Sequence, residues 1–369
     1  MTMRYRRKEN PRDKGRSAGL QDGRLDGWRV GAAQGITDYT PLPAPRSDLR
    51  VMYVPQGFEA IDQGVIWALE QSVAQLTVAP ADRMRATAEQ IRPDAVLVMN
   101  GLHVFPPDHL AQVQAIRQMG ILTAIWFVDD PYVSDDTPSI GVNYDVVFTH
   151  ERKCVPMYGS AGCPNVYQLP LAVNPQVFRP MQVPPQYRSD ICFIGMGFWN
   201  RIRLFNELVD YLKHKRVFLA GGLWERMPRF AELNPFIHAG WIPVSETVKY
   251  YNGAKIVINI HRTTEAGEDN RNSGNWGAES INPRTYEIAA CGALQLTDSR
   301  LELPEQYEVG AEIASFQTSD QLISLIEHYL THEEERRRMA VRSFKRTYRQ
   351  HTFLHRIDSL LRVLESHKK

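Results

Sequence analysis

The stretch of sequence that decides the fold is ESINPRTYEIAACG, residues 279–292. It predicts a short helix between two strands. Asn282 is a good N-cap because its side-chain oxygen can accept an orphan backbone N–H, and Pro283 suits the first helical position, where no N–H is needed. Gly292 is expected to close the helix in the left-handed conformation. The free N–H groups and positive dipole end of such a helix are typical of a phosphate-binding site.

Three charged side chains in this stretch are candidate functional residues. Arg284 adds a fixed positive charge near the helix N-terminus. Glu287, one turn further in, is placed to accept hydrogen bonds from a sugar diol, and Glu279 precedes it by eight residues. The alternative is an ordinary strand–helix unit with a partly exposed glutamate. The same spacing recurs at Glu327 and Glu335 in a charged segment typical of a helix surface, so the spacing alone carries little weight.

The length and composition are those of a soluble protein with two domains. A chain of 369 residues is too long for one ordinary core. The net charge of +1 gives no global basic field, which disfavours a DNA-modifying enzyme or any other nucleic-acid partner. Four cysteines without a CxxC spacing predict reduced, buried thiols in a cytoplasmic protein. We expect no signal peptide and no membrane span, because the longest apolar run, Ile121 to Val128, is too short.

Residues 1–47 form an N-terminal extension of different character. The first 29 residues hold nine Lys and Arg against four Asp and Glu, whereas the remainder holds 34 against 38. Glycine recurs every four residues from Gly15 to Gly35, and in a helix this forms a stripe that another backbone can approach closely. Two interpretations stay open. One is a flexible tail, since glycine disfavours a helix, and the other is a helix that orders on docking to a partner or a second subunit through residues 15–35.

From residue 48 the pattern alternates between apolar runs and helical segments. Runs such as AVLVM (95–99) and ILTAIWFV (121–128) are typical of buried parallel strands. A proline-rich linker, LPLAVNPQVFRPMQVPP (169–185), separates two such series. The sequence therefore predicts an α/β fold with two Rossmann-like, doubly wound domains, 48–172 and 173–369. We expect them to face a central cleft at the carboxyl edges of their sheets.

Helices are expected between these strands and at the end of the chain. One follows the first strand near 61–76, and another lies near 201–214 in the second series. The chain is expected to finish with a helix near 319–331 and one long helix from 333 to 364. Each connection between strands is long enough for the crossover that parallel pairing requires.

The loop Gly195-Met196-Gly197 follows the first strand of the second domain and precedes a helix that carries Arg201. Glycines allow backbone N–H groups to approach a phosphate, and an arginine can clamp it. The pattern therefore favours diphosphate binding. The alternative is a tight turn between a strand and a helix.

Two further strand ends in the second domain carry candidate residues. Trp241 lies just past a strand, where its ring or backbone can receive a nucleobase or can cap the sheet edge. His261 ends the next predicted strand, either in the cleft or in a structural role. The Gly- and Asn-rich segment 263–279 that follows has the length of a functional or mobile loop.

In the first domain, WFVDDP (126–131) places Asp129 and Asp130 at the end of a buried strand. One of them could act as a general base on an acceptor hydroxyl. Asp135 and Asp136 follow closely, which leaves two alternatives. The four carboxylates could hold a divalent cation, or they could serve as turn and N-cap residues.

These motifs resemble the CgeB-like glycosyltransferases, a spore maturation family within the broad GT-B glycosyltransferases. The matching motifs are WFVDDP, VFTHER, LPLAVNPQVFRP, DICFIG, HAGWIP, INIHR and, above all, INPRTYEIAACGALQLTD, and the resemblance covers residues 49–360. It implies a GT-B fold whose second domain binds a nucleotide-sugar and whose first domain binds an acceptor, with a final helix that crosses back. It also implies that no metal or other cofactor is needed, because a helix dipole and basic residues stabilise the leaving diphosphate.

The resemblance also implies roles for individual residues. Glu287 is expected to bind the ribose, with Trp241 and Ile242 by the nucleobase. The expected nucleotide-sugar site comprises Gly195, Gly197, Arg201, Trp241, Ile242, Asn282, Arg284 and Glu287. The residues expected at the reacting centre are Asp130, His261 and Glu279. Glu279 departs from the EGFG-like loop of retaining GT-B enzymes, because the glycines precede it here, and the stereochemical outcome stays open.

The sequence thus predicts a metal-independent cytoplasmic glycosyltransferase, with spore association as a further expectation. It would move a sugar from a nucleoside-diphosphate sugar to a hydroxyl-bearing acceptor. Two alternatives stay open. One is a sugar-nucleotide epimerase on the same fold, which needs no acceptor. The other is a non-catalytic spore-surface or assembly protein that binds a partner through residues 15–35.

Overall fold

Two parallel sheets of six strands each form the framework of the computed structural model, which describes residues 11–368. The first sheet has the order β2-β1-β3-β4-β5-β6 and the second the order β12-β11-β10-β7-β8-β9. The strands are β1 (Ser47–Val54), β2 (Val73–Val78), β3 (Ala95–Met99), β4 (Leu122–Phe127), β5 (Val146–Thr149), β6 (Val166–Gln168), β7 (Ser189–Ile194), β8 (Val217–Gly221), β9 (Ile237–Ala239), β10 (Ala254–Asn259), β11 (Leu294–Asp298) and β12 (Ala314–Phe316). The predicted pair of doubly wound α/β domains is confirmed.

Helices connect the strands and cover both faces of each sheet. They are α1 (Pro11–Asp38), α2 (Glu59–Ser72), α3 (Met84–Ile91), α4 (His109–Gln118), α5 (Thr137–Gly141), α6 (Val155–Ser160), α7 (Trp199–Leu212), α8 (Phe230–Leu233), α9 (Val244–Gly253), α10 (Pro283–Ala290), α11 (Leu303–Gln306), α12 (Ser319–Thr331), α13 (Glu333–Gln350) and α14 (Phe353–Ser366). Two apolar clusters flank the first sheet and two flank the second. Strands buried on both faces read as continuous apolar runs, which is why the sequence identified them.

The second sheet has a point at which its strand order reverses. Strand β7 lies between β8 and β10, so the chain leaves β7 toward one edge and β10 toward the other. The segments that follow these two strands therefore diverge and leave a crevice at the carboxyl edge, where ligands bind in open α/β sheets. The loop after β7 carries Gly195 and Gly197, and the segment after β10 carries His261.

The last helix, α14, crosses back to the first domain. Its apolar side chains Phe353, Leu360 and Leu364 join the core under the first sheet. Gly64 of α2 permits this approach, because a Cβ at that position would lie 2.2 Å from the Phe353 ring. The crossing confirms the expectation from the family resemblance. It also means that the C-terminal part of the predicted 173–369 domain packs on the other domain.

Two predicted helix boundaries were wrong. The helix near 61–76 ends at Ser72, and the residues that follow form the edge strand β2, which pairs with β1. The long helix from 333 to 364 is broken after Gln350. Thr352 and His355 form a capping box there that starts α14 afresh, and this break turns the chain toward the first domain.

The described part of the N-terminal extension is a helix that docks on the second domain of its own chain, whereas residues 1–10 lie outside the described residues. Arg29 of α1 is buried and donates hydrogen bonds to the carbonyl oxygens of Met181 and Cys291, at 2.9 Å each. The flexible-tail interpretation is therefore wrong for this helix. From Gly19 to Gly35, no atom lies within 4 Å of the position that a Cβ would occupy on any glycine of the stripe, so association with a partner through this stripe stays a prediction.

All four cysteines are buried and free, as predicted. Within residues 11–368, no helix is both long enough and apolar enough to cross a membrane.

Candidate functional site

Helix α10 begins and ends where the sequence predicted. Asn282 is the N-cap, and its Oδ1 accepts a hydrogen bond from the Thr285 N–H at 3.1 Å. Gly292 follows the helix with φ at +63°. The N–H of Arg284 has no hydrogen-bond partner among the described residues. One backbone donor at this helix N-terminus is therefore free for a ligand.

A network of side-chain amides holds the start of α10 against the sheet. Asn259 at the end of β10 and Asn282 exchange two hydrogen bonds, of 2.9 and 3.0 Å. The Asn259 amide nitrogen also reaches the Gln295 side chain of β11 at 3.2 Å. The side chain of Asn282, predicted at the nucleotide site, thus has protein partners and positions the helix.

His261 lies beneath the same helix N-terminus and is buried. Its Nδ1 lies 2.6 Å from the carboxylate of Asp298, and its Nε2 accepts a hydrogen bond from the Asn282 N–H at 3.1 Å. Burial lowers the pKa of His261 below its ordinary value, against the attraction of Asp298. Burial opposes ionisation of Asp298 too, but His261 and Arg300 hold the pKa of that carboxyl below its ordinary value. The geometry fits a neutral imidazole with both nitrogens occupied, which leaves His261 no nitrogen for a reacting group.

Glu287 is the carboxylate on α10 that stays open to a ligand. The residue is 8% exposed, and its carboxylate has no hydrogen-bond partner among residues 11–368. Burial raises its pKa to about 7, which the positive charge of Arg284 partly offsets. The guanidinium of Arg284 likewise has no hydrogen bond or ion pair within the described chain. An acid and a base one turn apart, both lacking protein partners, are suited to a polar ligand that carries hydroxyls and negative charge.

Arg201 lies under the loop after β7. Its guanidinium is buried and donates to the carbonyl oxygens of Ile260, at 2.6 and 3.1 Å, and Met196, at 2.9 Å. Burial, together with the nearby charges of Arg284 and Arg262, lowers the pKa of Arg201 to about 9.

Four arginines gather around the carboxyl ends of β7, β10 and β11. They are Arg201, Arg262, Arg284 and Arg300. None of the four forms an ion pair with a carboxylate in the part of the chain that the structure describes. The buried Nε atoms of Arg262 and Arg300 lack hydrogen-bond partners there as well. Four cations that lack a carboxylate at ion-pair distance, beside a helix N-terminus, favour the binding of an anion.

The glycine loop does not offer its N–H groups to a ligand in this conformation. The N–H of Gly195 donates to Ala220 and that of Gly197 to Gly222, both at 2.8 Å. The close approach of the two segments requires a glycine at position 221, because a Cβ there would lie 2.1 Å from the carbonyl oxygen of Gly195. The prediction that these two N–H groups bind phosphate is therefore wrong here. The loop is instead a tight turn between a strand and a helix, which was the alternative to phosphate binding, and it positions Arg201.

Trp241 and Ile242 differ in exposure. The Trp241 side chain is 74% exposed, so it does not cap the sheet edge, whereas Ile242 is buried at 8%. The adjoining N–H of Val244 donates to the carboxylate of Glu59 in the first domain at 3.3 Å. The Trp241 side chain is therefore open to solvent, three residues before a contact between the domains.

Asp130 is fully buried and saturated by protein. Its carboxylate accepts hydrogen bonds from Thr149 at 2.6 Å, Tyr158 at 2.8 Å and Thr137 at 3.2 Å. The role of general base is therefore contradicted by its lack of access. Asp129 is half-buried, keeps one hydrogen bond from Asn100 at 2.8 Å, and lies close enough to Arg262 for their charges to interact.

The four carboxylates near the end of β4 turn to different partners. Asp135 accepts from Ser273 at 2.6 Å and Asp136 pairs with Arg271 at 2.5 Å, whereas Asp130 faces its own domain. Among residues 11–368, no group of three His, Cys, Asp or Glu side chains is arranged to share a metal ion. The turn and capping alternative fits these contacts.

Glu279 lies at the boundary between the domains. Its carboxylate pairs with Lys153 of the first domain at 2.9 Å, and its N–H donates to the buried Glu151 at 3.0 Å. Glu151 also accepts from the Ser280 N–H at 3.1 Å. This contact fixes the segment that leads into α10, so Glu279 joins the domains in this structure.

The long loop 263–279 is held against the first domain as well. Ser134 donates to the side chain of Asn272 at 2.7 Å, and the Arg271 N–H donates to the Tyr132 oxygen at 2.8 Å. The ring of Tyr132 also packs against the guanidinium of Arg262, 4.8 Å from its centre. These contacts join the loop to the first domain.

Comparison with known proteins connects this site to a family. The chain is 30% identical over 314 residues to the spore protein CgeB of Bacillus subtilis (strain 168), a match that covers 83% of this chain and 95% of CgeB. The chain belongs to the CgeB family. Residues 201–362 of this chain also match a family model described as glycosyl transferase-like. That region includes Arg201, His261, Arg284 and Glu287.

Alignment with solved structures shows that this chain has the GT-B fold. It aligns with Anabaena HepE in complex with UDP-glucose at a TM-score of 0.58 and 10% identity, over 86% of this chain and 100% of HepE. It aligns with a sucrose-phosphate synthase of Thermosynechococcus elongatus at a TM-score of 0.54 and 13% identity, over 78% and 77% of the two chains. The GT-B fold inferred from the sequence is confirmed.

Sequence reasoning missed several residues that build the site of this CgeB relative. Asp298 and Arg300 lie at the carboxyl end of β11, beside the end of β10, and polar residues at that edge are a usable signal in a parallel sheet. Glu151 lies in VFTHER just after β5, and no local spacing shows that it reaches across the domains to residues 279–280.

Proposed function

We propose that this CgeB family member transfers a sugar from a nucleoside-diphosphate sugar to a hydroxyl-bearing acceptor. The observation that carries the proposal is the pair Arg284 and Glu287 on α10. Neither side chain has a hydrogen-bond or ion-pair partner among the described residues, although Glu287 is buried. A buried carboxylate without a partner is costly unless a ligand supplies hydrogen-bond donors. A ribose diol has the two donors that such a carboxylate can accept.

The diphosphate would lie against the four arginines. The charge of Arg284 lowers the pKa of Arg201, and neither arginine meets a carboxylate at ion-pair distance in the described residues. The free N–H of Arg284 adds a backbone donor at the positive end of α10. A fixed cluster of this kind stabilises the charge that develops on a leaving diphosphate, so we propose that transfer needs no metal.

The structural neighbours are consistent with this choice of donor. HepE was solved with UDP-glucose, and its fold alignment spans both domains of this chain. The exposed ring of Trp241 is available to stack on a nucleobase. We infer a nucleotide-sugar as donor on the chemistry of α10, and the HepE complex supports it through the shared fold alone.

For the acceptor step, the structure favours Asp129 over Asp130. Asp129 lies at the carboxyl end of β4, keeps accessible surface and has its charge near Arg262. These features support the proposal that Asp129 accepts a proton from an acceptor hydroxyl in the first domain. His261 and Asp130 would have structural roles instead: His261 holds the start of α10 in the second domain, and Asp130 binds Thr149 and Tyr158 in the first domain.

The experiment is product analysis with a panel of nucleotide-sugars and simple hydroxyl acceptors. The proposal predicts release of a nucleoside diphosphate together with a glycosylated acceptor for at least one donor. Conversion of the donor without an acceptor would indicate an epimerase instead. Nucleotide-sugars that neither bind nor react would contradict the proposal.

A further inference from the structure

A second cavity lies at the opposite edge of the second sheet from the crevice. It has a volume of about 130 Å³ and is lined where β7, β10 and β11 begin, at Ser189, Ala254 and Leu294. Its other wall is helix α1, which contributes Trp28 and Arg29. Parallel strands place their amino and carboxyl ends on opposite edges, so this cavity is separate from the nucleotide-sugar crevice.

Positive charge predominates in the cavity. Among the described lining residues, six are cationic, namely Arg29, Arg188, Arg216, Lys255, Arg336 and Arg337, against the acids Asp26 and Glu333. Asp26 pairs with Arg188 at 3.2 Å and Glu333 with Arg337 at 2.8 Å. Lys255 pairs with Asp190 just outside, at 2.7 Å.

Arg29 is a buried cation of this cavity that forms no ion pair with a carboxylate among the described residues. Its guanidinium donates to the Asn252 side chain at 3.0 Å and otherwise to backbone carbonyls. The charge of Asp26 attracts the guanidinium of Arg29, and the charge of Arg337 lies close enough to repel it. An anion in the cavity would relieve this repulsion and interact with both guanidinium groups.

A second observation points to a missing ligand. Ser189 is one of the residues that line the cavity, it is 4% exposed, and its buried Oγ has no hydrogen-bond partner among the described residues. Buried hydroxyls in native proteins almost always have a partner. The cavity is larger than the roughly 30 Å³ that one water occupies, so it has room for a group the size of a phosphate.

We propose that this cavity binds a small phosphate-bearing anion and that the anion fastens α1 to the second domain. Ser189 would donate to a phosphate oxygen, and the guanidinium groups of Arg29 and Arg337 would supply positive charge. The walls come from α1 and from the sheet of the second domain, so a ligand bound between them stabilises the docked helix. Because the coupling is reciprocal, any change that undocks α1 also weakens the binding of the anion. This inference does not depend on the proposed transferase activity.

The test uses the full-length protein and inorganic phosphate at constant ionic strength, balanced with chloride. Calorimetry gives the affinity, and hydrogen exchange of residues 19–38 reports the docking of α1. The measurements are made with Arg284→Gln in the background, which weakens phosphate binding in the nucleotide-sugar crevice. Ser189→Ala and Arg337→Gln change the cavity. Arg342→Gln, an exposed position on the same helix as Arg337, is the matched control.

We expect saturable binding of one phosphate per chain and slower exchange in α1 when phosphate is bound. Ser189→Ala should weaken phosphate at least threefold and Arg337→Gln at least tenfold, with Arg342→Gln unchanged. The absence of saturable binding would overturn the proposal, as would equal effects of the Arg337 and Arg342 substitutions. Exchange in α1 that stays constant at saturating phosphate would overturn the fastening role.

Discussion

The Nε2 of His261 accepts a hydrogen bond from the backbone N–H of Asn282, at 3.1 Å. Through this bond the end of β10 fixes the first residue of the α10 cap, and Asp298 holds the imidazole from the other side at 2.6 Å. A histidine at the end of a strand in a glycosyltransferase-like domain is a candidate catalytic residue. Here the geometry makes it a positioning residue, because both ring nitrogens are occupied.

Substitution of His261 by Gln should therefore destabilise the protein more than it impairs chemistry. Loss of one or two buried hydrogen bonds is expected to cost about 1–3 kcal/mol. The native protein holds the imidazole neutral with a lowered pKa, so wild-type stability should fall as the pH drops below about 6.5, and the variant should lose this dependence. Thermal unfolding between pH 5 and 8 measures both effects. An unchanged Tm with abolished turnover would instead assign His261 to the reacting centre.

Asp129 and Asp130 should respond in opposite ways to conversion to Asn. Asp130→Asn places amide donors against the hydroxyls of Thr149 and Tyr158, and we expect the free energy of unfolding to fall by about 1–3 kcal/mol. Asp129→Asn should leave Tm unchanged and lower kcat by about 10²–10⁴, the range for loss of a general base. Turnover and thermal unfolding of both variants check this. Full activity of Asp129→Asn would remove the assignment.

Arg284→Gln should weaken nucleotide binding without destabilising the fold, because its guanidinium has no partner within the described residues. Loss of a charge-assisted hydrogen bond to phosphate corresponds to about 1.5–3 kcal/mol, or roughly tenfold to a hundredfold in Kd. The salt dependence of nucleotide affinity should also become shallower. Titrations at two ionic strengths measure both, with Arg342→Gln as the control of equal charge. Equal loss in the two variants would show a general charge effect.

The raised pKa of Glu287 predicts that the stability of the ligand-free protein depends on pH, and that a bound nucleotide opposes this dependence. Its pKa is raised from 4.5 to about 7 by burial, so the ligand-free protein should lose up to about 3 kcal/mol as the pH rises through this interval. Glu287→Gln should remove this loss. Hydroxyl donors from a ribose favour the ionised carboxylate, so nucleotide affinity of the wild type should rise between pH 6 and 8. Thermal unfolding with and without nucleotide tests both, and a flat profile in the wild type would contradict them.

Local chemistry in the sequence was enough to locate α10 and the parallel strands. Asn282, Pro283 and Gly292 each act through neighbours within a few residues, and buried strands show continuous apolar runs. The edge strand β2 was missed because its half-exposed residues continue a helical pattern. The partners of His261 and Glu279 are distant in sequence, and so is the contact of Arg29 with Cys291.

The glycine loop shows a different limit. Gly195 and Gly197 are consistent both with a phosphate cradle and with close packing of a loop against a neighbouring strand end. The contact of Gly221 with the Gly195 oxygen decides for packing, and it depends on the placement of β8. The arginines were easier to predict, since Arg201 and Arg284 lie near the switch point whichever role the glycines have.

The most direct test of the central claim is calorimetric titration of UDP, GDP and dTDP into the wild type, Glu287→Gln and the exposed control Glu207→Gln. We predict that at least one nucleotide binds the wild type and the control alike. Its Kd should rise by about fivefold to a hundredfold in Glu287→Gln, which corresponds to roughly 1–3 kcal/mol for a buried hydroxyl pair. Equal affinity in all three proteins, or no binding by folded wild type, would contradict the claim that α10 holds a nucleotide.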